Sequence, residues 1–323
     1  MRLAPAVAAV RNAVRVSVTD LAPGSLVLAA CSGGADSLAL AAALAFVAPR
    51  AGLRAGGVTV DHGLQAGSAE RADSVAATMT GLGLDPVRAV AVTVGVGGGP
   101  EAAARAARYD ALEKVAADTG AAAVLLGHTL DDQAETVLLG LARGAGARSL
   151  AGMPPRRGVF RRPLLEIRRP ATTAACAALG LVPWQDPHNH DRRFARVRVR
   201  ADALPALEAA LGPGVTEALA RTAAHLRADA EVLDNIATER SVSSAELTTG
   251  SLERMPEAIR GRVLRSAAID AGCPAGALSA LHVRRLDELA TNWHGQRWVD
   301  LPGGVRAARK GGLIVFGGVA GGR

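Results

Sequence analysis

The feature that most restricts the fold is an alternation between residues 25 and 142, where short apolar runs trade four times with helix-length segments. "SLVLAAC" (25–31) is apolar throughout, the pattern of a strand covered on both faces of a parallel sheet. A helical stretch from about Ala35 to Ala48 follows, then the strand "AGGVTVDHG" (55–63), a helix over roughly 67–81 and a third strand, "PVRAVAVTV" (86–94). The glycine stretch "GVGGGP" (95–100) is a break, after which Pro100 and Glu101 open a long helix that Gly120 closes. "AAAVLLGHT" (121–129) is a fourth buried strand and "DDQAETVLLGLARGAG" (131–146) a fourth helix. Repeated strand–helix units of this kind predict an α/β fold: a doubly wound parallel sheet with helices on both faces.

In such a sheet the ligand lies beyond the carboxyl ends of the strands. Three strands here end in polar groups: Ser32 to Ser37, Asp61 with His62, and His128 through Asp131 and Asp132. These segments are far apart in sequence and should meet at one rim. Asp132 and Glu135, at i and i+3 near a helix start, share a face. Asp131 is the expected N-terminal cap of that helix.

Ser32, Gly33, Gly34, Asp36 and Ser37 form S-G-G-x-D-S at the first strand-to-helix junction. Glycine lets the backbone approach an anion closely, and the free N–H groups of a helix start favour phosphate. Ser32 and Ser37 add hydroxyl donors. The pattern G-x-x-x-x-G-K-[ST] is absent, so no lysine is present to hold a γ-phosphate. A carboxylate beside a phosphate is repulsive unless a cation intervenes. Asp36 is therefore read as a magnesium ligand through pyrophosphate or as a group facing a second substrate. The plainer alternative is a glycine turn whose Asp caps the helix.

After residue 150 the chain becomes rich in proline and arginine. Arg156, Arg157, Arg161, Arg162, Arg168 and Arg169 are followed by Arg192, Arg193, Arg196, Arg198 and Arg200. Arginine pairs bidentately with phosphate and stacks on bases, so this series is the expected RNA surface, with Arg162, Arg193, Arg196 and Arg200 as its principal members. The excess of 37 Lys and Arg over 30 Asp and Glu points the same way, to nucleic acid before a membrane surface. From about residue 211 a smaller, mainly helical region follows, with helices near 214–240, 256–271 and 279–291. Two short strands, "QRWVDLP" and "GGLIVFGG", end it. The domains are placed at 1–210 and 211–323.

Cys31, Cys176 and Cys273 lie far apart with no C-x-x-C, which supplies neither a metal cluster nor a disulfide framework and suits a reducing compartment. No run of about 18 apolar residues is present to span a membrane. The start of the chain, interrupted by Arg11 and Arg15, reads as a short amphipathic helix and not as a signal sequence. A cytoplasmic location is expected.

S-G-G-x-D-S after a buried first strand resembles the PP-loop of the N-type ATP pyrophosphatases, which share the adenine nucleotide alpha hydrolase-like fold. Within that superfamily "VDHGLQ" (60–65), "EAAARAARYDAL" (101–112), "GHTLDDQAETVLLGLARGAG" (127–146) and "GMPPRRGVFRRPLLEIRR" (152–169) are similar to the tRNA(Ile)-lysidine synthetases. "DPHNHDRRFARVRVR" resembles a further block of that family, with Asp186, Asn189, Asp191, Phe194, Arg196 and Arg200 in place and Val197 where Asn is usual. The resemblance runs from about residue 25 to 204.

It implies a ligase that uses ATP and Mg2+ to adenylate the wobble cytidine of a tRNA(Ile) with a CAU anticodon, then joins free L-lysine to it. On that footing Asp36, Asp132 and Glu135 are the catalytic set, with Asp36 and Asp132 toward magnesium and Arg108, Asp132 and Glu135 toward lysine. Arg105 shares the reading of Arg108 less directly. Ser32, Gly33, Gly34, Asp36, Ser37, Asp61, His62 and His128 would contact the nucleotide, while a structural hydrogen bond stays the competing reading for His128. Many members of the family carry a further C-terminal domain that this sequence does not reach. The oligomeric state is not fixed, with a homodimer as the assembly considered. Two other readings are a thiolating PP-loop enzyme, which would need a cysteine pair for sulfur transfer, and a non-catalytic RNA-binding relative, which would not need Asp36, Asp132 and Glu135 together.

Overall fold

A computed structural model of the chain describes residues 3–63, 67–93, 95, 100–242 and 247–318. Leu64 and Gln65 of "VDHGLQ", most of the glycine stretch at 95–100 and the side chain of Glu101 lie outside the described residues. The chain forms two compact units: Met1–Ala145 with Ser149–Ala224, and Gly146–Arg148 with His225–Arg323.

The first unit begins with α1 (Pro5–Ser17) and β1 (Leu26–Ala30), followed by α2 (Ala35–Arg50), β2 (Arg54–Asp61), α3 (Ser68–Gly81) and β3 (Val87–Ala91). Next come α4 (Pro100–Thr119), β4 (Ala123–Leu126), α5 (Leu130–Ala142) and the one-turn α6 (Ala147–Leu150) at the unit boundary. The hairpin β5 (Arg156–Arg157) and β6 (Phe160–Arg161) precedes α7 (Arg169–Ala178), and α8 (Ala195–Arg198) passes through a π turn at Val199–Ala203 into α9 (Leu204–Leu211).

The sheet order is β3-β2-β1-β4-β6-β5. It is parallel except for the edge pair β5 and β6. The expectation of a doubly wound parallel sheet is met, and the physical cause is visible in β1. All five of its residues are buried. Val27 and Ala29 enter a core with α1, α2, α3 and α7 on one face, while Leu26, Leu28 and Ala30 enter a second core against α4 on the other. β1 pairs with β2 on one side and β4 on the other, so the strand order reverses there. The crevice at the ends of β1 and β4 is where such a sheet admits a ligand.

The change of unit comes between Ala224 and His225, inside α10 (Val215–Val242). The second unit continues with α11 (Thr249–Glu253), α12 (Glu257–Asp270), α13 (Ala280–Thr291) and an antiparallel sheet of β7 (Val299–Leu301), β8 (Val305–Lys310) and β9 (Leu313–Gly318). Its own core gathers Leu252, Val263, Leu264, Leu286, Leu289 and Ala307. β8 is an addition to the two strands expected here. Its inward Val305 and Ala307 alternate with Arg306 and Ala308, a run too polar and too short-chained to read as a strand. No helix among the described residues is long and apolar enough to cross a membrane.

Candidate active site

The glycine loop leaves β1 through Cys31 and enters α2 at Gly34, the N-terminal cap residue, with no side chain capping the helix. The first-turn N–H groups are therefore left for a ligand. Gly33 has φ +84°, and a Cβ there would stand 2.9 Å from Val75 Cγ2, so glycine is required on two counts. Ser37 is drawn into the loop's own network: its hydroxyl accepts from Ser32 N at 3.1 Å and donates to Gly34 O at 2.9 Å. Ser32 is exposed, with its hydroxyl 3.3 Å from that of Ser37.

β4 ends at the same place. A Cβ on Gly127 would lie 3.1–3.2 Å from the Asp36 and Ser37 backbone, so any larger residue would push the two chain segments apart by a few tenths of an ångström. Composition alone gave no signal for Gly127. Two residues on, Thr129 caps α5 and forms a capping box with Asp132, whose carboxylate accepts from Thr129 N at 2.8 Å. This corrects the expectation that Asp131 is the cap. Asp131 instead accepts from Arg169 N at 2.7 Å and from Arg168 Nε at 3.2 Å, contacts made across the fold.

Three carboxylates from two helices meet on one guanidinium, that of Arg169 at the start of α7. It donates to Asp132 Oδ1 at 2.7 Å, to Asp36 Oδ2 at 3.3 Å and to Glu135 Oε1 at 3.4 Å. Thr172, one turn along α7, donates to Asp36 Oδ1. Burial pushes the Asp36 carboxyl up, against the pull of Thr172 and Arg169. For Asp132 burial acts the same way but is outweighed by Arg169 and the Thr129 N–H, which hold it below the usual range. Glu135 is 0% exposed and is also clamped by Arg200, Nε to Oε1 at 2.7 Å. The π turn at Val199–Ala203 carries Arg200, and such turns recur at functional positions.

Beside this cluster opens a cleft lined by Ser32, Asp61, His62, Arg71, Arg108 and Trp184. Trp184 N donates to Gly33 O at 2.9 Å, and the Arg71 guanidinium lies 3.9 Å from the Trp184 ring centre, so the indole forms one wall. Asp61 accepts from Gly63 N at 2.9 Å and stays well ionised for that reason. Arg108 has no carboxylate partner among the described residues, and burial lowers its pKa. His62 and His128 feel burial first and Arg108 second, with His128 brought down to about 3. Both rings are therefore neutral, and Nδ1 of each is buried with no partner among the described residues. The structural hydrogen bond considered for His128 is thus missing at Nδ1. A cation with no carboxylate partner, acting on two neutral imidazoles, is suited to an anionic group.

A second cavity lies on the other side of Arg169 and Glu135, lined also by Asp131, Arg168, Arg200, Glu208 and Glu217. Glu217 pairs with Arg168 through Oε1, while its Oε2 is buried without a partner among the described residues. Neither Glu217 nor Thr172 was legible as a site residue, because each reaches the site only through the tertiary fold.

The arginine series divides. Arg162 is 4% exposed and donates to Pro154 O at 2.9 Å and Tyr109 Oη at 3.1 Å, which corrects its placement on the RNA surface: its fork is held inside the protein. Arg161 is spent on Asp20, and Arg200 on Glu135, so Arg200 too serves the acidic cluster rather than open surface. Arg193 is 84% exposed, paired with its neighbour Asp191, and Arg196 is half-buried. Val197 is buried and packs as an ordinary apolar residue.

A switch-point crevice, a glycine loop without lysine and adjoining carboxylates define an adenine-nucleotide enzyme of the PP-loop class, and residues 8–207 match the PP-loop domain family. Residues 247–312 match the TilS substrate binding domain. The chain belongs to the tRNA(Ile)-lysidine synthase family. It is 61% identical to the tRNA(Ile)-lysidine synthase of Thermobifida fusca, over 96% of this chain and 97% of that one. It is 54% identical to the synthase of Streptomyces coelicolor, over 97% and 98%. Among solved structures, the U34-tRNA thiolase NcsA from Methanococcus maripaludis with its [4Fe-4S] cluster superposes with a TM-score of 0.58 at 19% identity, covering 68% of this chain and 79% of that one. That likeness concerns the fold.

Proposed function

We propose that the chain converts the wobble cytidine of the CAU anticodon of tRNA(Ile) to lysidine, using ATP and L-lysine and releasing AMP and diphosphate. In the first step the 2-keto oxygen of cytosine attacks the α-phosphorus of ATP and diphosphate leaves. In the second the ε-nitrogen of lysine attacks C2 and AMP departs with that oxygen. The relatives' shared name supports the overall reaction. The observation that carries the residue assignment is the meeting of Asp36, Asp132 and Glu135 on the Arg169 guanidinium beside the glycine loop. A substrate ammonium needs the same carboxylate acceptors, so in this reading lysine displaces the Arg169 guanidinium from the cluster when it binds.

In this reading Ser32, Gly33, Gly34 and the α2 amides hold the phosphates, with Ser37 bracing the loop. Asp61 and His62 face the nucleoside, and His128 lies toward the phosphates. Arg108 offers its unpaired charge to a phosphate or to the lysine carboxylate. Asp132 and Glu135 receive the lysine ammonium, which must lose a proton before its lone pair can attack. Asp36 and Asp132 would hold Mg2+, whose charge would offset that of the phosphates. Mg2+ is commonly held by one or two carboxylates together with substrate phosphates, and Asp36 and Asp132, both now paired with Arg169, are the carboxylates nearest the glycine loop. Arg193 and Arg196 lie toward the tRNA. The domains expected at 1–210 and 211–323 divide instead at Ala224 in the contact pattern, and catalysis is assigned to the first unit, with the second adding to the grip on the tRNA.

The thiolating alternative is disfavoured by the thiols themselves. Cys31, Cys176 and Cys273 are all buried, and burial with the nearby Asp36 pushes Cys176 up to about 11, so it carries no thiolate at neutral pH. The test is purified protein with a CAU-anticodon transcript, ATP, Mg2+ and labelled lysine. Label is expected in the RNA with equimolar AMP. No incorporation beside an active control enzyme would reject the reading.

A further inference from the structure

The antiparallel sheet of the second unit has a solvent face that its core does not explain. β7 and β8 pair Asp300 with Arg306, and β8 and β9 pair Arg306 with Gly317 and Ala308 with Val315. Alternation along the strands puts Asp300, Arg306, Ala308 and Lys310 on one face, opposite Val305 and Ala307, which fill the core, and Trp298, just before β7, lies against Arg306 of that face. On that outer face Trp298 is 44% exposed. Its indole is held in place by Arg306, whose guanidinium carbon lies 4.3 Å from the ring centre. Arg306 is in turn fixed by Asp300, Nε to Oδ1 at 2.7 Å. Ala308, Val315 and Gly317 share this face, and Arg306 covers one side of the ring, which leaves the other side for a ligand.

Large aromatics are rare in this chain, at 2% of residues, and leaving one at the surface loses its hydrophobic burial. Residues 292–318 carry four Lys or Arg (Arg297, Arg306, Arg309 and Lys310) against the single acid Asp300, and of these Arg306 and Lys310 share the outer face, while Arg309 points to the other side over Trp293. A pre-oriented aromatic ring with arginine and lysine beside it has the chemistry that holds an unpaired nucleotide, the base on the ring and the flanking phosphates on the cations. A duplex backbone would not need the ring, and the family's tRNA substrate supplies unpaired nucleotides for it.

We propose that Trp298, with Arg306 and Lys310, is a stacking platform for an unpaired nucleotide of the bound tRNA. The proposal rests on the tRNA-modifying reading and deepens it by naming where the second unit grips its substrate. The experiment is equilibrium binding of the full chain to the CAU-anticodon transcript, comparing wild type with Trp298→Ala, Trp298→Phe and Arg306→Gln, with a thermal melt of each. Trp298→Ala is expected to weaken binding roughly tenfold to a hundredfold at an unchanged melting temperature. Trp298→Phe, which keeps a ring, should retain most of the affinity while losing the quenching of tryptophan emission that stacking produces. Arg306→Gln should weaken binding and reduce its salt dependence.

Wild-type affinity in Trp298→Ala, or quenching undiminished in Trp298→Phe, would overturn the platform. Loss of affinity in Arg306→Gln alone would mean backbone contact without stacking and would overturn it as well. If the wild-type chain itself fails to bind the transcript, the functional reading falls first and this inference with it.

Discussion

Asp36 is the residue in which loop geometry and chemistry converge. It sits in the first turn of α2, accepts from Thr172 and Arg169, and its carboxyl is raised by burial. Asp36→Asn keeps the shape and the acceptor toward Thr172 but removes the charge, so turnover is expected to fall by about a hundredfold or more while tRNA affinity stays near wild type. Loss of affinity in step with turnover would reassign the residue. The histidines make a separate prediction about pH. Burial and Arg108 lower His62 and His128 in the folded state, His128 to about 3, whereas an unfolded histidine titrates near 6.5. Below about pH 6.5 the unfolded chain therefore binds more protons than the folded one, and stability declines as pH falls from there toward 3, by up to about 1.4 kcal/mol per pH unit for one such group. Asp36 acts in the opposite sense, since a raised carboxyl takes up its proton sooner in the folded state. Urea unfolding between pH 7 and 5 should show the decline, and His128→Gln should flatten it; an unchanged slope would mean that His128 is not the group responsible.

At the scale of elements, the loop between β1 and α2 separates shape from chemistry. Gly33→Ala forces a Cβ to 2.9 Å from Val75 Cγ2 at φ +84°, which should cost about 1–2 kcal/mol from the backbone alone and weaken the hold on the phosphates proposed for this loop. Gly34→Ala meets nothing nearer than Ser32 Oγ at 3.9 Å, at an ordinary φ of −71°, so its melting temperature should match wild type. Equal destabilisation of the two variants would show that the loop does not have this conformation. The contrast also marks how far the sequence can be read. The strand–helix alternation and the glycine loop are local patterns, and β1, α2, β2, α3, β4 and α5 lie within a few residues of where apolar periodicity puts them. The Thr129 capping box was equally local, present as T-x-x-D, yet the adjacent Asp131 drew the cap assignment away from it. What stayed hidden is contact at long separation. Arg169 reaching Asp36, Arg200 reaching Glu135 and Arg162 turning in to Tyr109 are side-chain choices made by tertiary packing, and a run of arginines looks the same in sequence whichever way each one points.

At the scale of the whole molecule, the chain has separate hydrophobic cores. One pair lies on the two faces of the parallel sheet, and another is built from α11, α12, α13 and the antiparallel sheet. The cleft proposed for the nucleotide, the acidic cluster and the cavity beside Glu217 all belong to the first unit. A ligand that binds only one folded unit stabilises that unit by RT ln(1 + [L]/Kd), about 2.7 kcal/mol at a hundredfold excess over Kd. Hydrogen exchange followed with and without ATP and Mg2+ should therefore show slower exchange in β1, β4, α2 and α5. Amides of α12, α13 and β8, in the other core, should change little. Addition of tRNA should instead slow exchange in both units, including β7 and β8 next to Trp298. Uniform protection of both units by ATP alone would mean that the two cores unfold as one cooperative body, and the assignment of nucleotide binding to the first unit would then need the loop variants to support it.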